Sequence, residues 1–511
     1  MQPKTDSVVL LDADQAAEVT AAPKKIGFVS LGCPKNLVDS EVMMGLLAQG
    51  GAQITARAED ADIIVVNTCS FIDSAKQESV DTILEMAQHK LNGRAQKLIV
   101  AGCLVERYRN EIRKNIPEVD AVIGTGELEH ILSAAGIESA ATPGNSPFVI
   151  LNSRSEGDAR EAAGRFSKDA WDGAIADLPN YLYDENTPRV LATPKYSAYI
   201  KIAEGCDHPC SFCIIPQLRG KFRSRRFESV IAEAQRLAQQ GVREITLIGQ
   251  DTTCYGEDFG LKDGLALLLE RLAQIDELRW IRFLYAYPNK ITGKLLETIA
   301  AHEKICSYID VPLQHASPDV LKRMKRGAGA EIFLRSIEKM RREIPDLTLR
   351  TSFIVGFPGE TEEDFLATLA LVTQIGYAGA YSFKYSPRPG TPAAEMQEIV
   401  SAEEMDERLA RLQELIDSQQ SAFNRALIGT TVDVLFERAA RNPGQVVGRT
   451  AYLQPAHVMA PESIIGQVLP VKIESLERYS LLGELAVPLP KLVAAPETQP
   501  IINSSDTRMG A

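Results

Sequence analysis

Residues 199–216 read YIKIAEGCDHPCSFCIIP. An apolar run closed by a glycine has the character of a buried strand, and the next residues set Cys206, Cys210 and Cys213 in a C-x3-C-x2-C spacing. Three thiolates on one loop can converge on one metal centre, and soft sulfur donors select iron–sulfur clusters or zinc. Downstream, short apolar runs alternate with amphipathic stretches: EITLIG, WIRFLYAYP, YIDVPL and TLRTSFIVGFPG, with helices expected at 228–239, 261–274, 294–302 and 332–343. Repeated βα units of this length predict a full or partial (β/α) barrel.

Upstream, apolar runs at 26–31, 62–67, 97–101 and 119–123 are separated by helical stretches such as 37–49 and 74–88, which predicts an open α/β layer with a mainly parallel sheet. A charged helix is expected over 402–427. After it the pattern changes to short strands (TVDVLFE, QVVGRT, IIGQVLPVKIES, LLGEL), the signature of a small β-barrel. The fold class is therefore α/β. The expected division is 24–136 for the N-terminal domain, 137–190 for a Pro-, Gly- and acid-rich linker or insertion, 191–425 for the partial barrel and 426–488 for the β module. Loose tails are expected at 1–23 and 489–511.

Composition supports a multidomain globular chain: 511 residues suggest about three domains at ~150 residues each, with 45% hydrophobic and 24% charged residues. The formal charge of -13 argues against a whole-surface affinity for nucleic acid. The opening MQPKTDSVVLLDADQ carries too short an apolar run for a signal peptide or membrane helix, so the expectation is a cytoplasmic protein with no membrane partner. Eight cysteines in such a chain stay reduced, and their spacing points to metal or redox chemistry.

Three local cysteines leave one iron of a [4Fe-4S] cluster without a protein ligand, and an open iron can chelate the amino and carboxylate groups of S-adenosylmethionine. A Cys3His zinc knob using His208 is the alternative, although zinc sites normally space their ligands as two pairs. GCDHPCSFCIIP resembles the radical S-adenosylmethionine superfamily, which implies a partial βα barrel. Cys33, Cys69 and Cys103 each follow the end of an expected strand, in VSLGCPKN, VVNTCSF and IVAGCLVE. Carboxyl ends of strands in an open sheet share one crevice, so these three could hold a second cluster with an open iron. Small buried residues at strand ends are the bland alternative, weakened by the threefold repetition. Cys254 and Cys306 lack such company and read as core residues.

From about residue 24 to 487 the chain is similar to the methylthiotransferase family. SLGCPKNLVDSE, KIAEGCDHPCSFCIIPQLRGKFRSR, IGQDTTCYG, YIDVPLQHAS, MKRG and RTSFIVGFPGETEEDF are nearest its ribosomal-protein branch. That resemblance implies a methylthio group placed on the β-carbon of an aspartate in ribosomal protein uS12. It implies two [4Fe-4S] clusters, with S-adenosylmethionine as methyl donor and radical source. Cys206, Cys210 and Cys213 would hold the cluster that generates a 5'-deoxyadenosyl radical; Cys33, Cys69 and Cys103 would hold the auxiliary cluster that carries the sulfur, and the C-terminal module would be of TRAM type. Gln250, Asp251, Gly356 and Gly359 fall where barrel loops would meet S-adenosylmethionine, the glycines serving equally as tight turns. An electron donor such as flavodoxin or ferredoxin is expected, and the sulfur donor stays unassigned.

Arg219 to Arg226, RGKFRSRR, could meet an acidic ligand or form a solvated face, and His208 could move protons or be structural. A transfer-RNA methylthiotransferase is the nearest rival. Over 431–487 five basic residues face six acidic ones, a poor phosphate platform. A non-enzymatic iron–sulfur electron carrier is a rival of another class, but carriers usually complete four cysteine ligands per cluster.

Overall fold

The computed structural model describes residues 22–137, 178–327, 329–477 and 480–488, so the two expected tails and most of the expected linker lie outside the described residues. The described residues form two compact units, 22–137 with Thr187–Val190, and 178–186 with 191–488.

In the first unit, strands β1 (Lys25–Ser30), β2 (Gln53–Thr55), β3 (Ile63–Thr68), β4 (Lys97–Gly102) and β5 (Ala121–Ile123) form one parallel sheet in the order β2-β1-β3-β4-β5. Every residue of β3 is buried, as expected of a central parallel strand covered on both faces. The short edge strand β2, QIT, has no apolar run and was not expected from the sequence. The register pairs Ser30 with Asn67 and Thr68 with Gly102, so β1, β3 and β4 end side by side. Helices Pro34–Gln49, Asp73–Leu91 and Cys103–Asn115 start just beyond those ends.

In the second unit the barrel strands are β6 (Ser197–Lys201), β9 (Glu244–Ile248), β10 (Trp280–Phe283), β11 (Tyr308–Asp310), β12 (Thr348–Val355) and β13 (Gly379–Lys384), while β7 (Ala203–Glu204) and β8 (Arg223–Ser224) pair with each other in a small antiparallel ribbon. Two parallel sheets, β10-β9-β6 and β11-β12-β13, meet through a parallel bridge between Ile281 and Ile305. Six parallel strands thus make a partial barrel, and among the described residues no strand pairs with the outer edge of β13. Its core lies between the strands and the outer helices, where Ile245, Leu247, Ile281, Phe353 and Leu412 are essentially inaccessible to solvent. β13, GAYSFK, is half-exposed and lacks the apolar run by which the other strands were recognised.

A capping box at Ser401 and Glu404 starts helix Ala402–Ala426, which leads into the C-terminal module. There β14 (Thr431–Ala439), β15 (Gln445–Thr450), β16 (Pro455–Met459), β17 (Val468–Leu476) and β18 (Leu481–Leu485) close into a barrel in the order β14-β15-β16-β18-β17. It docks on the amino ends of the larger barrel's strands. Arg449 pairs with Glu437 at 2.5 Å and Glu244 at 3.6 Å, and Arg282 Nη1 donates to the Ala451 carbonyl at 2.7 Å. The expected α/β architecture, with its open sheet, partial barrel and terminal β-barrel, is what forms.

Candidate active site

The loop that carries Cys206, Cys210 and Cys213 leaves β7 through Gly205, whose φ of +79° suits glycine, and enters helix Ile215–Arg219. A Cβ at Gly205 would lie 2.0 Å from the Lys221 carbonyl oxygen, so the two ends of the loop touch where no side chain fits. The Cys206 amide donates to the Gly220 carbonyl, at 3.2 Å, and the Cys213 amide to the Cys210 carbonyl, at 3.1 Å. Glu204 clamps the same ends from inside: its carboxylate accepts from Lys201 at 2.5 Å, Arg219 at 3.3 Å and Gln250 at 2.5 Å. Burial alone would raise the Glu204 pKa, but Lys201 and Arg219 outweigh it and hold the group down to about 2.

The centre of the loop sits on a separate apolar cluster of Phe212, Val320, Met324, Ile354, Phe357 and Ala393, against which Cys210 and Cys213 pack. Arg388 Nη1 donates to the Phe212 carbonyl at 2.5 Å, and Ser211 Oγ to the Arg323 carbonyl at 2.7 Å. Burial pushes the Cys206 thiol up to about 12 and raises that of Cys213. A metal bound to sulfur would displace these protons, since the thiolate is the metal ligand.

Beside the loop lies a group that spacing alone did not reveal. His208 Nε2 meets Asp251 Oδ2 at 2.5 Å, and the His208 ring stacks on Tyr287 with centroids 3.8 Å apart. Arg326 lies over the same Tyr287 ring at 4.6 Å, and its Nη1 is 3.7 Å from Cys210 Sγ. Cys254 donates to Asp251 at 3.1 Å and Thr253 closes the carboxylate's other oxygen, so the ligand atoms of His208, Asp251 and Cys254 lie within 4.8 Å of one another. Burial opposes the Asp251 charge, yet these hydrogen bonds together lower its pKa. The expectation that Cys254 is a core residue is thereby corrected: it is half-buried and engaged with Asp251, whereas Cys306 is 4% exposed and does sit in the core.

Gln250 and Asp251 follow β9, as expected, but they differ. Asp251 is occupied by its own neighbours, whereas the buried Gln250 Oε1 has no hydrogen-bond partner among the described residues. Gly356 and Gly359 have φ of +74° and +76°. A Cβ there would lie 2.1 Å from Met405 Cγ and 2.4 Å from Glu398 Oε2, so the chain's own side chains fill the space beside both. The basic run is solvated only in part, at the exposed Lys221 and Arg226. Arg219 and Arg225 are buried against Glu204 and Glu233, and Arg223 donates to the carbonyls of Arg219, Lys221 and Tyr181.

In the first unit Cys33, Cys69 and Cys103 stand at the carboxyl ends of the adjacent strands β1, β3 and β4. Neighbouring strands run about 4.8 Å apart, so the three strand ends lie side by side. A Cβ at Gly32 would lie 3.1 Å from Cys69 Sγ, and Cys103 Sγ is 3.6 Å from Asn36 Oδ1. Asn36 ties the loops, donating to the carbonyls of Leu31 at 3.1 Å and Thr68 at 2.7 Å, while Ser79 brackets Cys69 through its amide and its carbonyl. Cys33 is the N-cap of helix Pro34–Gln49, and Cys103 is the first residue of its own helix.

Three family models match in succession: uncharacterized protein family UPF0004 over residues 25–124, the radical SAM superfamily over 200–372 and the TRAM domain over 425–486. The chain is 70% identical over 449 residues to the ribosomal protein uS12 methylthiotransferase RimO of Koribacter versatilis, covering 85% of this chain and 89% of that protein. The chain belongs to the ribosomal protein uS12 methylthiotransferase family. A second family member, from Solibacter usitatus, is 50% identical over 94% of this chain and 98% of its own length. Among solved structures, the radical S-adenosylmethionine methyltransferase TsrM of Kitasatospora setae aligns with a TM-score of 0.49 at 16% identity, over 73% of this chain and 77% of that one. As a radical SAM methylthiotransferase the chain is an enzyme that uses S-adenosylmethionine and a [4Fe-4S] cluster. The residues present suit both. Three soft donors share one loop with a guanidinium beside Cys210, and the unpartnered Gln250 Oε1 can accept from an amino or hydroxyl group. Among the described residues no helix is long and apolar enough to cross a membrane.

Proposed function

We propose that this chain adds a methylthio group to the β-carbon of an aspartate in ribosomal protein uS12. The observation that carries the reading is its 70% identity to a uS12 methylthiotransferase across 89% of that protein. The assignment of Cys206, Cys210 and Cys213 to the S-adenosylmethionine-cleaving cluster, and of Cys33, Cys69 and Cys103 to a second, sulfur-carrying [4Fe-4S] cluster, is supported by the two three-cysteine sets at strand ends. When bound, the clusters and S-adenosylmethionine supply the electron, the radical and the sulfur that an unactivated C–H bond requires and that acid–base side chains cannot provide.

The chain's own residues position and insulate that chemistry. Glu204, Lys201 and Arg219 hold the ends of the cysteine loop, and Phe212 with Phe357 shields one side of it from water. Arg326 places a fixed positive charge at Cys210, where it balances anionic sulfur. Gln250 Oε1 accepts from S-adenosylmethionine, while Asp251 orients His208 and Gly356 and Gly359 shape the adjoining turn. A flavodoxin or ferredoxin supplies the electron in this reading. The test is anaerobic reconstitution with iron and sulfide, followed by S-adenosylmethionine, reductant and either uS12 or transfer RNA, read by mass. A gain of one methylthio group on uS12 is expected; a gain on transfer RNA alone would overturn the substrate.

A further inference from the structure

Successive residues of a strand face opposite sides, so Arg350, Ser352 and Ile354 of β12 share the inner face of the partial barrel, and Ile354 packs with the cysteine loop. Arg350 lies four residues nearer the strand's start, about 13 Å along it. Its Nε donates to Asp310 Oδ1 at 3.0 Å, and Asp310 Oδ2 accepts from the Tyr285 amide at 3.1 Å. Tyr285 holds φ of +65°, a conformation that bulky residues rarely adopt, two positions before the Tyr287 that stacks on His208. Asp310 thus fixes one edge of the guanidinium, and among the described residues neither Nη has a hydrogen-bond partner. Tyr308 provides a second, independent sign of a missing polar group. It is 2% exposed, its hydroxyl has no partner among the described residues, and its ring lies 5.8 Å from the Arg350 guanidinium. On β13 beside it, Tyr381 is 52% exposed among the described residues and its ring lies 5.1 Å from the same guanidinium.

We propose that Arg350, held by Asp310 beside Tyr308 and Tyr381, binds the carboxylate of the substrate aspartate inside the barrel. The inference rests on the uS12 reading above and names the residue that recognises the target. A guanidinium whose two Nη groups have no hydrogen-bond partner among the described residues is a fork matched to a carboxylate. The carbon to be modified is bonded directly to that carboxyl carbon, so gripping the carboxylate places the reacting C–H within one bond of a fixed point. The carboxylate of S-adenosylmethionine is the competing ligand. It belongs at the open iron, at the cysteine-loop end of the face.

The test uses reconstituted holoenzyme carrying Arg350→Gln and Arg350→Lys, assayed on uS12 and on uS12 whose target aspartate is replaced by asparagine. Arg350→Gln should lower kcat/KM on uS12 by about 10- to 100-fold. Iron content, S-adenosylmethionine binding and uncoupled 5'-deoxyadenosine release should match the wild type, and the preference for aspartate over asparagine should narrow. Unchanged kcat/KM on uS12 would overturn the proposal. So would a loss of S-adenosylmethionine binding in step with activity, which would hand Arg350 to the cofactor. If Arg350→Gln fails to load iron, Arg350→Lys decides: it keeps the charge without the fork, and wild-type kinetics in that variant refute the two-point grip on the carboxylate. A wild-type enzyme inactive on uS12 would defeat the underlying reading instead, so the two failures are distinguishable.

Discussion

Replacing Glu204 by glutamine tests how the cysteine loop is held. The side chain is 3% exposed and its charge is shared between Lys201 and Arg219, themselves 3% and 2% exposed. A carboxyl held down to about 2 in the fold against 4.5 for the free group corresponds to ~3 kcal/mol of stabilisation at neutral pH. Breaking a buried ion pair from one side gives a similar ~3–5 kcal/mol. The folded-state pKa is depressed, so this contribution is complete above pH 4.5 and is lost as pH falls from 4.5 towards 2. Glu204→Gln removes the titrating group and should weaken this part of the acid dependence, besides lowering stability at pH 7. Urea unfolding of the anaerobic apoprotein from pH 3 to 7, followed by circular dichroism, reads both effects, and iron bound after reconstitution reads the loop. A variant within ~1 kcal/mol of the parent at pH 7, with the same acid limb and full iron loading, would refute the clamp.

Further tests follow from the same geometry. Gly356→Ala should cost ~2–4 kcal/mol, combining a positive φ with a Cβ 2.1 Å from Met405 Cγ. Met405→Ala in the same chain should recover part of that cost in a double-mutant cycle, and strict additivity would count against the contact. Cys206→Ala should abolish S-adenosylmethionine cleavage, whereas Cys69→Ala should retain cleavage and lose sulfur insertion, both read as 5'-deoxyadenosine and product by mass. Arg449→Met removes the ion pairs to Glu437 and Glu244 and should expose the connection near residues 427–430 to protease several-fold faster. Unchanged cleavage kinetics would show that apolar packing, such as Tyr196 against Gly466, carries the docking.

Features that depend on local spacing can be read without a fold. βα alternation is a matter of periodicity, so the three-part α/β architecture was legible, and the C-x3-C-x2-C loop and the strand-end cysteines are patterns that spacing alone displays. β2, β13 and β16 were not, because these strands are rich in polar or small residues and carry no apolar run, whether at a sheet edge (β2, β13) or within the closed barrel (β16). Only the tertiary structure decided which charges are spent internally. RGKFRSRR reads as a basic patch, yet Glu204 and Glu233, one before the run and one after it, absorb two of its arginines. Cys254 and His208, 46 residues apart, become neighbours only because the β9 loop carries Asp251 back to the cysteine loop. Arg350 is one arginine among many in the sequence. Folding sets Asp310 on one side of its guanidinium and leaves the other side open, since partners in a barrel come from strands distant along the chain.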